Sequence, residues 1–388
     1  MGKEIIAIGP AVRLKDKYVT GQSMMFQLLV DKLLAENRKV KVIDIGKIFS
    51  SNKNRVTGSF SLVRALDYLV ISAKAFFAFI SSPKQVLYFT TAQSTAGFIR
   101  DFIVIHLALA CRYKIICHYF GSNYSAFYHG QKSFVKQMIK RTLDRVDAII
   151  VESDFTKQQL TFLDNYNEKV ISILNGLPEK KLQISGKGKQ LSKDEPFQMF
   201  YLSNMIISKG YWDVVKALHI LINEYKLDVD CTFAGSFIAI TDDPPGVTPR
   251  DSEIAFFKYI EDNNLAKYIT YHKGLFGEEK AEAFKKANVF LLPTYYVNEG
   301  QPVSILEAMA YSTVPIVTEY RIIPSMVNEQ TGFFVPPKDP EAIAKAIKYL
   351  IINPEMYHQY SVASYKHYES SFTAEVYLNK LIGLIDQP

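Results

Sequence analysis

Two glutamates eight positions apart, Glu299 and Glu307, flank a loop-to-helix junction within Asn298–Thr318, NEGQPVSILEAMAYSTVPIVT. Proline fits a first helical turn, where its missing N–H costs nothing, so the helix is expected to begin at Pro302. That leaves the amides of Val303 and Ser304 free to bind an anion. Gly300, with no Cβ, lets a ligand approach the backbone closely. Upstream, Lys209-Gly210 stands between a strand and a helix N-terminus, a place suited to phosphate, with the hydrogen-bonding Asn204 in the same loop. His118 follows an apolar strand and precedes Gly121. Each has a bland reading as well. Most glutamates are solvated, a lysine before a glycine is a common surface feature, and a lone histidine is more often structural than catalytic.

The elements around these residues alternate. Val289–Leu292 and Val314–Val317 are fully apolar runs that enclose the two glutamates, which gives strand, loop, helix, strand. Such a unit gathers ligand groups at the carboxyl end of a strand. In the first half, strands are expected at Glu4–Gly9, Val40–Ile45, Gln85–Phe89, Lys114–Cys117, Ala148–Val151 and Val170–Leu174. Helices are expected at Gln22–Asn37, Ser61–Ile80, Thr95–Cys111, Gln131–Arg145 and Asp154–Asp164. The loop PAVRLKDKYVTG ends at Gly21, which either approaches a ligand or caps a turn; no G-x-G-x-x-G is present. After the polar stretch Lys180–Pro196 the alternation restarts with Gln198–Leu202, Tyr211–Glu224 and Asp230–Ala234, and it closes with helices at Asp339–Ile351 and Ala374–Ile385. This pattern predicts an α/β chain of two parallel-sheet domains, 1–180 and 181–370, followed by a C-terminal helix, 371–388.

At 388 residues the chain exceeds what one core normally holds. Cys111, Cys117 and Cys231 are scattered and read as reduced thiols of a cytosolic protein; no leader pattern is read at the N-terminus. Leu66–Ile80 and Phe102–Cys111 are too short to span a bilayer. The net charge of +6 is uneven: residues 1–180 carry +11 and residues 181–388 carry −5. With no nucleic-acid module signature, the basic half favours an anionic membrane surface over nucleic acid as a partner. Lys132, Lys136, Lys140, Arg141 and Arg145 share the Gln131–Arg145 helix, with no acidic partner expected nearby. The Ser61–Ile80 helix interleaves Leu66, Tyr68, Leu69, Phe76, Phe77 and Phe79 with Arg64 and Lys74; it reads either as a core helix or as one that dips into a membrane interface or binds a lipid-linked acceptor.

The Asn298–Thr318 run resembles the E-x7-E signature of the retaining GT-B glycosyltransferases of family 4. Glu299-Gly300 and Glu307-Ala308-Met309-Ala310 fall in place, Gln301-Pro302 replaces the usual Phe-Gly, and Ser312-Thr313 replaces the usual glycine. Lys209-Gly210 matches the family's G-R-x4-K-G, with Asn204 where arginine is usual. Asn175-Gly176-Leu177, Ile269–Thr294 with its Gly274–Gly277 loop beside the nucleobase, and Gly332–Val335 extend the likeness, which is strong beyond residue 198 and weak before it.

The resemblance implies two Rossmann-like domains facing each other across a cleft, with the C-terminal helix crossing back onto the first. It implies a hexosyl transfer, with retention, from a UDP- or GDP-sugar to a glycan or polyprenyl-linked glycan acceptor in surface polysaccharide synthesis. The nucleotide sugar is a substrate, and neither a cofactor nor a metal is implied. Glu307 is implied to hold the ribose hydroxyls, Glu299 the sugar hydroxyls, and Lys209 with Asn204 the diphosphate; Gly21 approaches the diphosphate and His118 contacts the sugar. Asp228-Val229-Asp230 is formally the D-x-D of the other glycosyltransferase fold, but it leads into a strand instead of ending one, so metal binding is not expected there. The expected location is cytoplasmic, peripheral on the inner face of the cell membrane. A nucleotide-sugar-binding pseudoenzyme, motivated by Asn204, and a GT-B epimerase or phosphorylase are the alternatives.

Overall fold

A computed structural model describes residues 4–12, 21–46, 62–82, 85–177, 188–239 and 246–387. The loop expected before Gly21 and the polar stretch Lys180–Pro196 therefore fall partly outside the described residues. The chain divides into two compact units, Met1–Pro178 with Ala374–Pro388, and Glu179–Thr373.

The first unit runs β1 (Ile5–Gly9), α1 (Gly21–Ala35), β2 (Val40–Asp44), α2 (Leu62–Ser81), β3 (Val86–Thr90), α3 (Thr95–Ala110) and β4 (Lys114–His118). It continues through α4 (Tyr124–His129), α5 (Ser133–Leu143), β5 (Ala148–Val151), α6 (Asp154–Lys157), α7 (Tyr166–Lys169) and β6 (Val170–Ser172). The strands form one sheet in the order β2-β1-β3-β4-β5-β6, with every pairing parallel. Parallel strands are covered on both faces, which is why β1, β3 and β5 are buried throughout and mostly apolar. One face packs on α2, α3 and α5 through Ile71, Phe79, Val104, Ile105 and Ile139. The other packs on α1 and the last helix, α14 (Ala374–Asp386), through Phe26, Leu29, Tyr377, Leu381 and Ile385. Lys114 Nζ clamps the end of α14 by donating to the carbonyls of Leu384 (3.0 Å) and Gln387 (2.7 Å).

The second unit runs β7 (Phe197–Leu202), α8 (Tyr211–Asn223), β8 (Val229–Ala234), α9 (Pro249–Asp262), β9 (Ile269–His272), α10 (Gly277–Lys286) and β10 (Val289–Leu292). It ends with α11 (Val303–Ala310), β11 (Val314–Val317), β12 (Phe333–Phe334), α12 (Pro340–Ile352) and α13 (Pro354–Ser371). Its sheet has the order β12-β11-β10-β7-β8-β9, again all parallel. From β7 the chain first winds outward to β8 and β9, then returns to β10 on the other side. The switch point therefore lies between β7 and β10, where Met199 pairs with Val289 and Phe200 with Phe290.

Three expectations are corrected. Pro302 is the extended N-cap (φ −71°, ψ 106°), so α11 starts at Val303 and not at the proline. The single helix expected over Asp154–Asp164 is only α6 followed by a short 3-10 turn, Gln158–Leu160. Helix α5 does have acidic neighbours: Lys140 Nζ meets Asp144 at 2.7 Å and Asp164 at 2.6 Å.

Candidate functional site

The loops leaving β7 and β10 meet at the switch point. Lys209 closes a 3-10 turn, Ile207–Lys209, after which Gly210 takes a left-handed backbone (φ +82°) to enter α8. A Cβ at Gly210 would lie 2.4 Å from the carbonyl oxygen of Pro293, so only glycine allows this approach. The two loops are then tied together: the amide of Tyr295 donates to Ser208 O (2.7 Å), as does Thr294 Oγ1 (3.3 Å). This seating carries Lys209 across to Glu299, whose Oε1 and Oε2 accept from its Nζ at 2.6 and 2.7 Å. Thr294 Oγ1 adds a hydrogen bond to Glu299 Oε2 (2.7 Å), and the ring of Tyr296 lies 5.0 Å from the ammonium. Glu299 is 3% exposed. A carboxylate that deep is retained only with a cation and hydrogen bonds around it.

Beside this pair, Gly300 and the extended Pro302 lead into α11. Val303 and Ser304 are its first two residues, whose amides have no acceptor inside the helix. Glu307, the fifth residue of α11, is held by Lys280 from α10, with Nζ 2.5 Å from Oε1. Asn204 lies exposed in the β7 loop, where its carbonyl accepts from the Ile206 amide (2.8 Å). The second unit thus brings together Lys209, Glu299, Gly300, Val303, Ser304 and Glu307 on the loops and helix at β7 and β10. Lys280, Thr294 and Tyr296 complete the cluster without having been expected. Lys280 sits in the charged run GEEKAEAFKK, where spacing marks no single lysine.

His118 and Gly21 belong to the first unit. His118 is the last residue of β4, not the residue after it, and it is fully buried. Its Nδ1 is 2.5 Å from Tyr88 Oη, its ring stacks on Phe120 at 4.1 Å, and its Nε2 has no partner among the described residues. Burial pulls its pKa down to about 3, so the ring is a neutral imidazole. Next to it along the sheet edge, buried Glu152 accepts from the Gly121 amide (3.1 Å) and Asn175 Nδ2 (3.0 Å); burial pushes its carboxyl pKa up. Gly21 opens α1 with open space around a would-be Cβ, so no steric demand for glycine exists there. Asp230 lies within β8, and among the described residues no group of acidic, histidine or cysteine side chains could hold a metal ion.

The family described as Glycosyl transferases group 1 matches residues 185–367, which contain the whole Lys209–Glu307 cluster. The chain is 22% identical over 250 residues to an O-antigen chain mannosyltransferase C of Escherichia coli, covering 63% of this chain and 62% of that protein. It is 24% identical over 263 residues to a capsular polysaccharide biosynthesis glycosyltransferase, CapM, of Staphylococcus aureus, covering 65% of each. The matched stretch is thus just under two thirds of each relative's length. Among solved structures, Anabaena Alr3699/HepE in complex with UDP superposes with a TM-score of 0.68 at 12% identity, over 98% of this chain and 99% of that one. A likeness at that identity establishes a shared fold, GT-B, with two Rossmann-like units.

Proposed function

We propose that the chain, whose residues 185–367 match the family described as Glycosyl transferases group 1, moves a hexosyl unit from a UDP- or GDP-sugar to a glycan or polyprenyl-linked glycan in surface polysaccharide synthesis. The observation that carries this is the Lys209–Glu299 pair beside the α11 N-terminus at the switch point. The names of the relatives, an O-antigen mannosyltransferase and a capsular polysaccharide glycosyltransferase, support the acceptor class. The UDP complex of HepE supports the donor class.

The chemistry follows from what these groups can offer. The bond from the anomeric carbon to the diphosphate breaks through an oxocarbenium-like state, and a bond to the acceptor oxygen forms. The acceptor's proton passes to the departing diphosphate on the same face, so the configuration is retained and no protein nucleophile is used. Negative charge grows on the diphosphate. Lys209 and the Val303 and Ser304 amides meet it as a preorganised positive field, without a metal ion. Asn204 contributes a hydrogen bond and no charge, which puts most of that stabilisation on Lys209. Glu299, released by Lys209 as the ammonium turns to phosphate, accepts from the sugar hydroxyls, and Glu307 accepts from the ribose. His118, as a neutral ring with a spare Nε2, can hydrogen-bond a hydroxyl but cannot supply charge. The reaction takes place at the cytoplasmic face of the membrane.

Thermal-shift binding across UDP-, GDP-, ADP- and dTDP-sugars, with and without EDTA, tests the donor site. A shift from one nucleotide family, unchanged by EDTA and lost in Glu307→Ala, is expected. No shift from any of them would sink the reading. Binding without product, on supplying a range of acceptors, would favour the pseudoenzyme that Asn204 suggests, and a changed donor sugar in the product mixture would indicate an epimerase.

A further inference from the structure

Helix α2 is apolar on two opposite faces. Ile71, Ala75, Ala78 and Phe79 turn inward and are buried in the core shared with α3. Leu66, Leu69, Ala73, Phe76, Phe77 and Ile80 recur three, four, three, one and three residues apart, and all are exposed. Leu69 is 62% exposed and Phe77 64%. This second stripe runs about 21 Å along the helix at 1.5 Å per residue. A contiguous apolar strip of that kind marks a surface that is covered in use.

The occupant is indicated by charge. Helix α3 lies between α2 and α5, so all three share one layer on the first sheet. The outer side of α5 presents Phe134, 72% exposed, with Lys132 and Arg141 exposed and Arg145 just beyond the helix. Lys140 is taken up by Asp144 and Asp164, but among the described residues Lys132, Lys136, Arg141 and Arg145 make no ion pair. A second copy docking through this layer would meet it with the same patch, because a two-fold interface is self-complementary. That would set these cations against their own counterparts. An anionic bilayer offers the opposite: apolar depth for leucine and phenylalanine, and headgroup charge for lysine and arginine. No helix among the described residues is long and apolar enough to cross a membrane, so contact at this layer is interfacial.

We propose that the α2–α3–α5 layer of the first unit is the face that docks on an anionic membrane surface, with the α2 stripe lying in the interface. This deepens the membrane part of the functional reading and rests on it only for the acceptor.

The test is co-sedimentation of the full chain with vesicles of equal parts phosphatidylglycerol and phosphatidylcholine, and with phosphatidylcholine alone, at low and high salt. Wild type is expected to bind the anionic vesicles and to lose binding with salt. Lys132→Gln/Arg141→Gln should weaken binding roughly 25-fold, from about fivefold per cation removed. Leu69→Gln/Phe77→Gln should weaken it at least about tenfold, with the melting temperature held because both side chains face outward. The proposal falls if wild type ignores anionic vesicles, or if the Leu69/Phe77 variant binds like wild type. It also falls if sedimentation velocity shows a dimer that this variant abolishes. Donor binding measured without vesicles is read separately. Its loss with vesicle binding intact overturns the transferase reading and leaves the docking face standing.

Discussion

Lys209 and Glu299, 90 positions apart, are joined through both carboxylate oxygens at 2.6 and 2.7 Å, with the carboxylate 3% exposed. The two groups expected to take opposite ends of the donor, diphosphate and sugar, thus begin as each other's partner. Breaking a buried pair from one side leaves the other charge uncompensated, which costs about 3–5 kcal/mol. Lys209→Met should therefore destabilise the protein by an amount in that range. Lys209→Met/Glu299→Gln should recover most of the loss while remaining inactive. Urea midpoints of wild type, Lys209→Met, Glu299→Gln and the double variant form the cycle; a double variant as unstable as Lys209→Met would show that the pair is not what stabilises this loop junction.

Glu307 and Lys280 form a second, more exposed pair at 2.5 Å, on facing helices α11 and α10. Because it is partly solvated, its worth to stability is below about 1 kcal/mol. Its use lies in orientation: Lys280 fixes the rotamer of the carboxylate that is to receive the ribose. Glu307→Gln should weaken donor binding about tenfold or more, the scale of a hydrogen bond to a charged group. Lys280→Met should raise KM a few-fold and leave kcat near wild type. A fall in kcat with KM unchanged would assign Lys280 to the chemical step instead.

What could be read from the sequence, and what could not, divides along contact range. Val289–Leu292 and Val314–Val317 are strands to the residue, because a strand buried on both faces must be apolar at every position. The local signals of Pro302 and Gly210 also placed the helix starts to within one residue. Helix α13 carries no such signal in its sequence, for a physical reason. Its buried face is made of Tyr357, Ser361, Ser364 and Tyr368, so no apolar stripe marks it. It is held instead by hydrogen bonds, Ser361 Oγ to Ser312 O (2.6 Å) and Ser364 Oγ to Thr313 O (3.2 Å). The partners of Glu299 and Glu307 were equally hidden, since Lys209 and Lys280 come from other loops and elements and only the sheet order brings them near.

Lys189 closes the second unit from inside. Its Nζ donates to Phe284 O (2.7 Å), Ala287 O (2.5 Å) and Thr313 Oγ1 (2.7 Å), capping the carboxyl end of α10. Burial pulls its pKa down to about 7, yet three donated hydrogen bonds need all three N–H groups of the ammonium. The charge also suits the negative end of a helix. Lys189→Met fits the stem but leaves the carbonyls of Phe284 and Ala287 to share the single Thr313 hydroxyl (3.0 and 3.4 Å), at about 1–3 kcal/mol for the one left without a donor. A melting temperature lowered by several degrees, with the donor site otherwise intact, is the expected result; an unchanged value would mean water replaces the ammonium without loss.

His118 gives the first unit a pH dependence of definite sign. Unfolded, the ring takes a proton near its ordinary value of 6.5, whereas folded it resists protonation down to about 3. Between those values the unfolded state binds more protons, so stability must fall as pH falls. At 1.36 kcal/mol per unit, about 2 kcal/mol should be lost between pH 6.5 and pH 5. Other titrating groups, Glu152 among them, contribute equally to wild type and variant, so the comparison isolates the histidine. His118→Gln keeps a hydrogen-bonding partner for Tyr88 Oη and removes the titration. Its urea midpoint should therefore drop less than that of wild type over the same interval. Parallel curves for the two proteins would mean that the folded ring accepts its proton as readily as the unfolded one, and that the site opens to water before pH 5.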